Sequence, residues 1–390
     1  MVTTEGNPIS YPKYNFKALL PWLKISHVSG MHSRLFNRLL TIYSTPENIL
    51  ACDFQALRTA GVKNSLALEI SQIGQGKQSI EMNAALERCF NWLKCPGNFL
   101  ITRQSPHYPS LLTFIPDPPP MLYVKGKLES LHLPLIAMVG SRKPSAGGRR
   151  DAQHFARELA ANGLGVVSGL AMGIDLESHR GAIAGGMTTV AILGTGIDII
   201  YPAVNRAMFA AVAENGALVS EFNPGTPARP QHFPQRNRII SGLSQGVLVV
   251  EAGVKSGSMI TARFALEQGR EVFAIPGSIH NPMARGCHKL IAEGAKLVQC
   301  VEDILDEKLL LAEQQTAESI GTAISKESGS LHLTEPLQKV KQAVGFDTVS
   351  VDQIVLETQL NVKDVTVALV ELELRGLVRR ENNGYTLIAC

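Results

Sequence analysis

Apolar residues change their spacing several times along this chain. From Tyr14 to Lys94 they recur at three- and four-residue intervals in short runs broken by glycine, which predicts small amphipathic helices. HVSGMHSRLFNRLL couples a turn at Gly30 to one such run, and LRTAGV followed by KNSLALEISQI repeats the layout at Gly61. Between them Ser44 or Thr45 can cap a helix whose first turn holds Pro46. From Cys95 to Leu135 the chain is proline-rich. Pro118 to Pro120 preclude a helix, and MLYVKG reads as a short strand ending at Gly126. From Leu135 to Val301 continuous apolar runs (LIAMVG, LGVVSG, TTVAILG, ALVSEF, GVLVVEA, EVFAIPG) alternate with helix-period runs such as RRDAQHFARELAANG and SMITARFALEQG. Unbroken apolar strands alternating with helices specify a doubly wound, parallel α/β sheet. Glu302 to Thr334 begins helical and turns Ser/Thr/Gly/Glu-rich, as a flexible acidic linker does. The last stretch reads as helix, helix and a hairpin turning at Asn382-Asn383-Gly384.

These changes divide the chain at 1–94, 95–134, 135–305, 306–334 and 335–390: helical domain, connecting segment, α/β domain, linker and terminal domain. The two tandem turn-glycine-helix units resemble helix-hairpin-helix modules of the sterile-alpha-motif type, in which turn amides hold a DNA phosphate. A small helical packing domain accounts for the pattern better, because the glycine turns are imperfect and MHSR is a poor phosphate nest. The terminal layout is that of a winged helix-turn-helix, with VTVALVELELRG as second helix.

Charge sharpens the division. The whole chain carries 37 basic and 34 acidic residues, +3 over 390 positions. Residues 1–134 hold 13 basic against 8 acidic, and 135–301 hold 16 against 11, so each is +5. Residues 302–334 hold 2 against 7, and 335–390 hold 6 against 8. A basic body thus precedes an acidic end. Phosphate contact requires positive charge, so the acidic winged helix suits a protein contact or a non-standard, weak DNA role. Six scattered cysteines without a CxxC pair fit a reducing compartment and predict neither disulfide nor zinc site. The first residues lack the apolar core of a signal peptide, and no apolar run approaches the roughly 18 residues of a membrane span. A cytoplasmic location follows as the expectation.

In a doubly wound sheet, ligands bind beyond the carboxyl ends of the strands. Those positions carry GSRKPS, SGLAMGID, LGTGID, SEFNPG, FPQRNR, the Glu251-Ala252 and Lys255–Ser258 pair, and PGS. Glycine lets amides approach an oxyanion, serine hydroxyls add donors and arginine adds a charged fork. Several such loops on one edge predict a phosphate-bearing ligand. GxGxxG spacing and a Walker motif are both absent, so no nucleotide cofactor is expected. Asp175, His179, Asp198, Glu221 and Glu251 lie near the same edge, but their spacing sets no nucleophile beside a base, and capping or ion-pairing roles account for them.

GSRKPS, SGLAMGID, LGTGIDIIYP, SEFNPGT, FPQRNRIISGLS, VEAGVKSGSMITARFALEQGREVFAIPG and GCHKLIAEGA, in this order from about Ile136 to Ala295, resemble the motifs of the DNA processing protein A (DprA, or Smf) family. DPPPMLYVKG resembles the family's entry segment, and the three-part layout is similar; His288 stands where the family pattern has Asn. The resemblance implies an extended Rossmann-like domain that forms a homodimer and binds single-stranded DNA without catalysis, cofactor or metal. It implies protection of DNA entering in natural transformation and loading of the RecA recombinase. On the matching motifs, Arg142 would hold a backbone phosphate beside Lys143, and Arg236, Arg238 and Lys255, with Asn237, would extend the track. Ser141, Ser168, Gly169, Ser256 and Gly257 would supply donors; Phe233 either stacks on a base or is a core residue before Pro234.

Two other readings compete. A nucleoside monophosphate hydrolase on a related fold would carry a PGGxGTxxE motif, which PGS and VEAGVKSGS resemble only loosely. A duplex-reading transcriptional regulator is disfavoured by Glu371 and Glu373 in the second winged-helix helix.

Overall fold

Nine strands hydrogen-bond into one sheet in the computed structural model, which describes residues 16–307, 335–344, 349–374, 378–381 and 384–387. They are β1 (Asn98–Thr102), β2 (Met121–Gly126), β3 (Leu135–Val139), β4 (Gly165–Ser168), β5 (Thr189–Ile192), β6 (Ala217–Ser220), β7 (Gly246–Val249), β8 (Glu271–Ala274) and β9 (Lys296–Leu297). Their spatial order is β1-β2-β6-β5-β4-β3-β7-β8-β9. The strands from β6 to β9 run parallel, and β1 and β2 add an antiparallel edge beside β6. The order reverses at β3, which has β4 on one side and β7 on the other, so the loops after β3 and β7 diverge and leave a crevice.

Alternate strand residues enter opposite cores, as the pleat requires. Ala137 and Val139 pack with Ile239, Ile240 and Ala262 of helices His232–Leu243 and Gly257–Glu267. Ile136 and Met138 pack with Phe155 and Leu159 of helix Ala146–Ala161. Both faces of the central strands are covered, which explains their unbroken apolar runs.

The proline-rich stretch is more than a connection. NFLIT forms β1, all five residues buried, and pairs with MLYVKG. Three apolar residues, Phe99 to Ile101, in a proline-rich stretch give little period to read.

The N-terminal helices Phe16–Ser26, Ser33–Tyr43, Pro46–Ala51, Phe54–Thr59, Asn64–Gly74 and Ile80–Leu93 follow the expected short period. Thr45 caps the third through Asn48 N, with Pro46 in its first turn. These helices do not close a core of their own. Trp22, Phe36, Leu39 and Ile70 are continuous with Leu100, Met121, Tyr123 and Leu218 of the sheet. Contacts divide the chain between Leu311 and Ala312, not at residue 94. Most of the linker read at 306–334 lies outside the described residues.

The second unit has three helices, Glu335–Ala343, Val351–Thr358 and Val362–Leu374, and an antiparallel pair, β10 (Val378–Glu381) and β11 (Gly384–Leu387). The first helix adds to the expected helix-helix-hairpin and completes a winged-helix layout around Val340, Ile354, Leu369 and Leu372. Ser350 and Gln353 form a capping box. The turn read at Asn382-Asn383 lies outside the described residues.

One buried titratable group makes acid stability predictable. His179 is fully buried, its Nδ1 lies 2.7 Å from Thr189 Oγ1 and its Nε2 has no partner. Burial, reinforced by nearby Arg236, lowers its pKa from 6.5 to about 3. The unfolded chain therefore takes up this proton first, and stability falls as pH drops from 6.5 towards 3. In urea titrations over this range, His179→Gln should flatten the acid limb; an unchanged limb would assign it to other groups.

Candidate nucleic-acid interface

The crevice between β3 and β7 is built from two pinned loops. After β3, Ser141 N donates to Glu251 O (2.6 Å), Ser141 O accepts from Ile174 N (3.0 Å) and Ser145 N donates to a Glu251 carboxylate oxygen (2.8 Å). Gly173 makes this approach feasible. Its φ is +83°, and a Cβ there would strike the Ser141 carbonyl and the Arg142 backbone. Held this way, the loop sends Arg142 and Lys143 into solvent. After β7, Lys255 is exposed and Ser256 sits at the N-cap of helix Gly257–Glu267, with its hydroxyl directed to Ser258 Oγ at 3.3 Å rather than to the cap.

These loops border a cleft of about 700 Å³. Its third wall is helix His232–Leu243. The FPQRNR segment, expected as a strand-end loop, is the first part of this helix, where Pro234 is tolerated because its missing N–H has no intrahelical partner. Phe233, Arg236, Asn237 and Ile240 are spaced to share one helix face, and all four line the cleft. Phe233 is half-buried. The Arg142 guanidinium carbon lies 5.8 Å from its ring centre, and Tyr201 lies 5.5 Å away at 40°. Gly194 leaves room for the ring, since a Cβ there would fall 2.8 Å from Phe233 Cδ1.

The structure brings Ser141, Arg142, Phe233, Asn237, Lys255, Ser256 and Gly257 to this cleft, with Lys143 exposed next to Arg142. It engages four other expected contacts within the protein. Ser168 is fully buried and donates to Met138 O at 2.6 Å. Gly169 N donates to Asp175 (3.2 Å), and its carbonyl accepts from Arg236 (2.7 Å). Arg236 also donates to Ile192 O and, through Nε, to Asn237 Oδ1 at 3.1 Å, tying the ends of β4 and β5 together. Burial lowers its pKa to about 10, so it is still a cation at neutral pH, with its Nε and Nη1 donors committed to the protein. Arg238 forms a two-pronged pair with Glu221, both contacts 2.7 Å, and reaches Asp117 O and Ser33 Oγ. A strand-end position places a residue near the ligand edge without fixing which way its polar groups point: Ser168 and Arg238 are turned inward, the Gly169 backbone is bonded within the protein, and Arg236 lines the cleft with Nε and Nη1 committed to protein acceptors.

The acids of this edge have structural partners. Asp175 accepts from Gly169 N and Ala171 N, and burial raises its pKa. Glu251 holds Ser145 N and Asn281 Nδ2, and Glu221 holds Arg238. Asp198 accepts from Gly225 N at 2.7 Å. Among the described residues no group of three or more His, Cys, Asp or Glu is placed to hold a metal ion. His288, the departure noted above, sets Nε2 2.9 Å from Gly277 O and secures that loop.

Tyr201 and Met283 also line the cleft and were not among the expected contacts. Tyr201 sits beside Phe233, signalled only by its place before Pro202. Met283 accepts the Ser141 hydroxyl at 3.7 Å from a loop with no period to mark it. What remains accessible is an apolar ring, two cations that form no salt bridge among the described residues, and a helix N-terminus, a combination suited to an anion with a planar group attached.

Residues 99–308 match the family described as DNA recombination-mediator protein A, and residues 325–384 match the DprA winged helix domain. Protein Smf of Synechocystis is 34% identical over 92% of this chain and 96% of its own length. Protein Smf of Escherichia coli is 40% identical over 77% of this chain and 80% of its own. The crystal structure of DNA processing protein A from Streptococcus pneumoniae superposes with a TM-score of 0.65 at 34% identity, covering 76% of this chain and 99% of that one. With an ordered set of motifs, the sheet they build and relatives aligned along most of its length, this chain belongs to the DNA recombination-mediator protein A (DprA/Smf) family.

Proposed function

We propose that the cleft between β3 and β7 binds single-stranded DNA through its backbone, without reading sequence and without catalysis. The observation that carries this is the accessible set itself: Arg142 and Lys255 face the cleft from opposite loops with Phe233 between them, and the carboxylates of this edge hold protein amides or Arg238. Cations take phosphates, and an aromatic face accepts any base. Glu251, the acid that a hydrolase reading would need, is 5% exposed and bonded to Ser145 and Asn281.

On this reading the protein works in DNA processing as a homodimer in the cytoplasm, protects strands entering in natural transformation and loads the RecA recombinase onto them. The names of its relatives support a DNA role; the RecA step rests on the family resemblance. The winged helix fits a protein contact better than duplex DNA, because its third helix, Val362–Leu374, turns Val367 and Val370 to solvent and carries acids rather than a basic stripe.

A titration with single-stranded and duplex oligonucleotides at two salt concentrations, run beside a RecA-loading assay, tests the proposal. Three exposed cations, Arg142, Lys143 and Lys255, should give single-strand affinity a log–log salt slope near about −2, with duplex bound more weakly. A salt-independent affinity, or release of base from nucleoside monophosphates that Glu251→Gln abolishes, would overturn it.

A further inference from the structure

A second basic depression lies outside this cleft, on the N-terminal helices. It encloses about 550 Å³, with Leu35 and Leu66 among its apolar residues and Arg34, Arg38 and Lys63 as its cations; no acidic residue lines it. The two glycine turns of the tandem helical units face into it. Gly30 (φ +81°) precedes helix Ser33–Tyr43, and Gly61 (φ +77°) precedes helix Asn64–Gly74. The backbone of the second turn is already engaged, since Arg38 donates to Gly61 O (3.0 Å) and Arg58 to Val62 O (2.6 Å). Those bonds fix the turn and hold the Arg38 guanidinium at the rim. Lys63, at an N-cap without a side-chain cap bond, is exposed, and Arg34 meets Asp117 only at 3.9 Å with most of its side chain in solvent. Cations, not turn amides, are therefore the accessible donors.

This groove adjoins a second depression on the side of the main cleft. His32 lines both it and a smaller polar depression of about 280 Å³, whose other wall includes His232 and Gln235. Those two residues belong to the helix that supplies Phe233 and Asn237 to the main cleft. One helix thus has residues in the main cleft and in the depression that shares His32 with the groove, and that depression is also lined by Glu221, whose carboxylate is held by Arg238; all lie within one compact unit.

We propose that the Arg34–Arg38–Lys63 groove is a second contact for the phosphodiester backbone, engaged by a strand that already occupies the main cleft and is long enough to reach past His32. Apolar Leu35 and Leu66 offer a floor for a base, and the rim cations hold its flanking phosphates. This rests on the single-strand reading above.

The test uses the full chain and fluorescent oligothymidylates of about 6 and about 30 nucleotides, one near the lower end of the roughly 4–16 nucleotides a single domain occupies and one well beyond it. Arg38→Ala with Lys63→Ala should leave the short strand unchanged, weaken the long one about tenfold and reduce its salt slope by about 1.4, two phosphates at about 0.7 each. Because Arg38 also braces Gly61, Arg34→Glu with Lys63→Glu serves as a second variant that leaves that bond intact and should weaken the long strand at least as much. Unchanged long-strand binding in both variants overturns the proposal while leaving the main cleft standing. Equal losses for both lengths also overturn it, since they would place these residues in the primary site. Indifference of either strand to Arg142→Ala would instead count against the cleft reading itself.

Discussion

Arg238→Ala is expected to destabilise the protein by about 3–5 kcal/mol, measured as a shift in the urea midpoint, because it leaves the Glu221 carboxylate buried without its partner. Arg238 is 6% exposed, and its guanidinium satisfies both Glu221 oxygens at 2.7 Å while also reaching Asp117 O and Ser33 Oγ. That set joins the sheet domain to the second N-terminal helix, so its loss loosens two elements together. Arg238→Met combined with Glu221→Leu should recover much of the loss, since a buried pair replaced by apolar groups of similar volume is often neutral. At a temperature where Arg238→Ala stays folded, single-strand affinity should be unchanged. An unshifted midpoint would refute the structural role, and a folded variant with lost DNA binding would restore Arg238 to the ligand track.

Arg142→Ala with Lys255→Ala should do the opposite: lower single-strand affinity by about tenfold to a hundredfold, with the urea midpoint unchanged within about 0.5 kcal/mol. Both side chains are exposed, and neither forms a salt bridge among the described residues. Arg142 also stands 5.8 Å from the Phe233 ring centre, so its removal alters the stacking face as well as the charge. The salt slope should fall by about 1.4, two single-strand phosphates at about 0.7 each. Retained affinity and slope would remove the crevice from the DNA path. The two arginine experiments thus separate a cation that holds the fold from one that holds the ligand, although the sequence places both in motifs expected at strand ends.

The parallel sheet was legible because strands buried on both faces leave unbroken apolar runs, and LIAMVG and GVLVVEA have no other simple reading. β1 was not, because NFLIT is short and its partner is supplied by tertiary pairing with MLYVKG. At the site, Arg142 was legible from the loop that follows the first parallel strand. Arg236 and Arg238 were not separable from it by motif alone. Helical spacing does distinguish them: Phe233, Arg236, Asn237 and Ile240 recur on one face, and Arg238 falls outside it. Even that would not have shown the Arg236 donors occupied by the carbonyls of Gly169 and Ile192, since those bonds depend on where two other strands end. Met283 reaches the site from a loop more than a hundred residues from the Ser141 it touches.

A cut at residue 94 would not separate two modules. Leu100, Met121, Tyr123 and Leu218 lie in the same core as Trp22, Phe36 and Leu39. A fragment beginning at residue 95 would carry a greasy flank into water, and one ending there would lose the wall its helices lean on. In this chain the helices and the sheet therefore stand or fall as one folding unit. The terminal unit beyond Leu311 has its own core and is under no such bond.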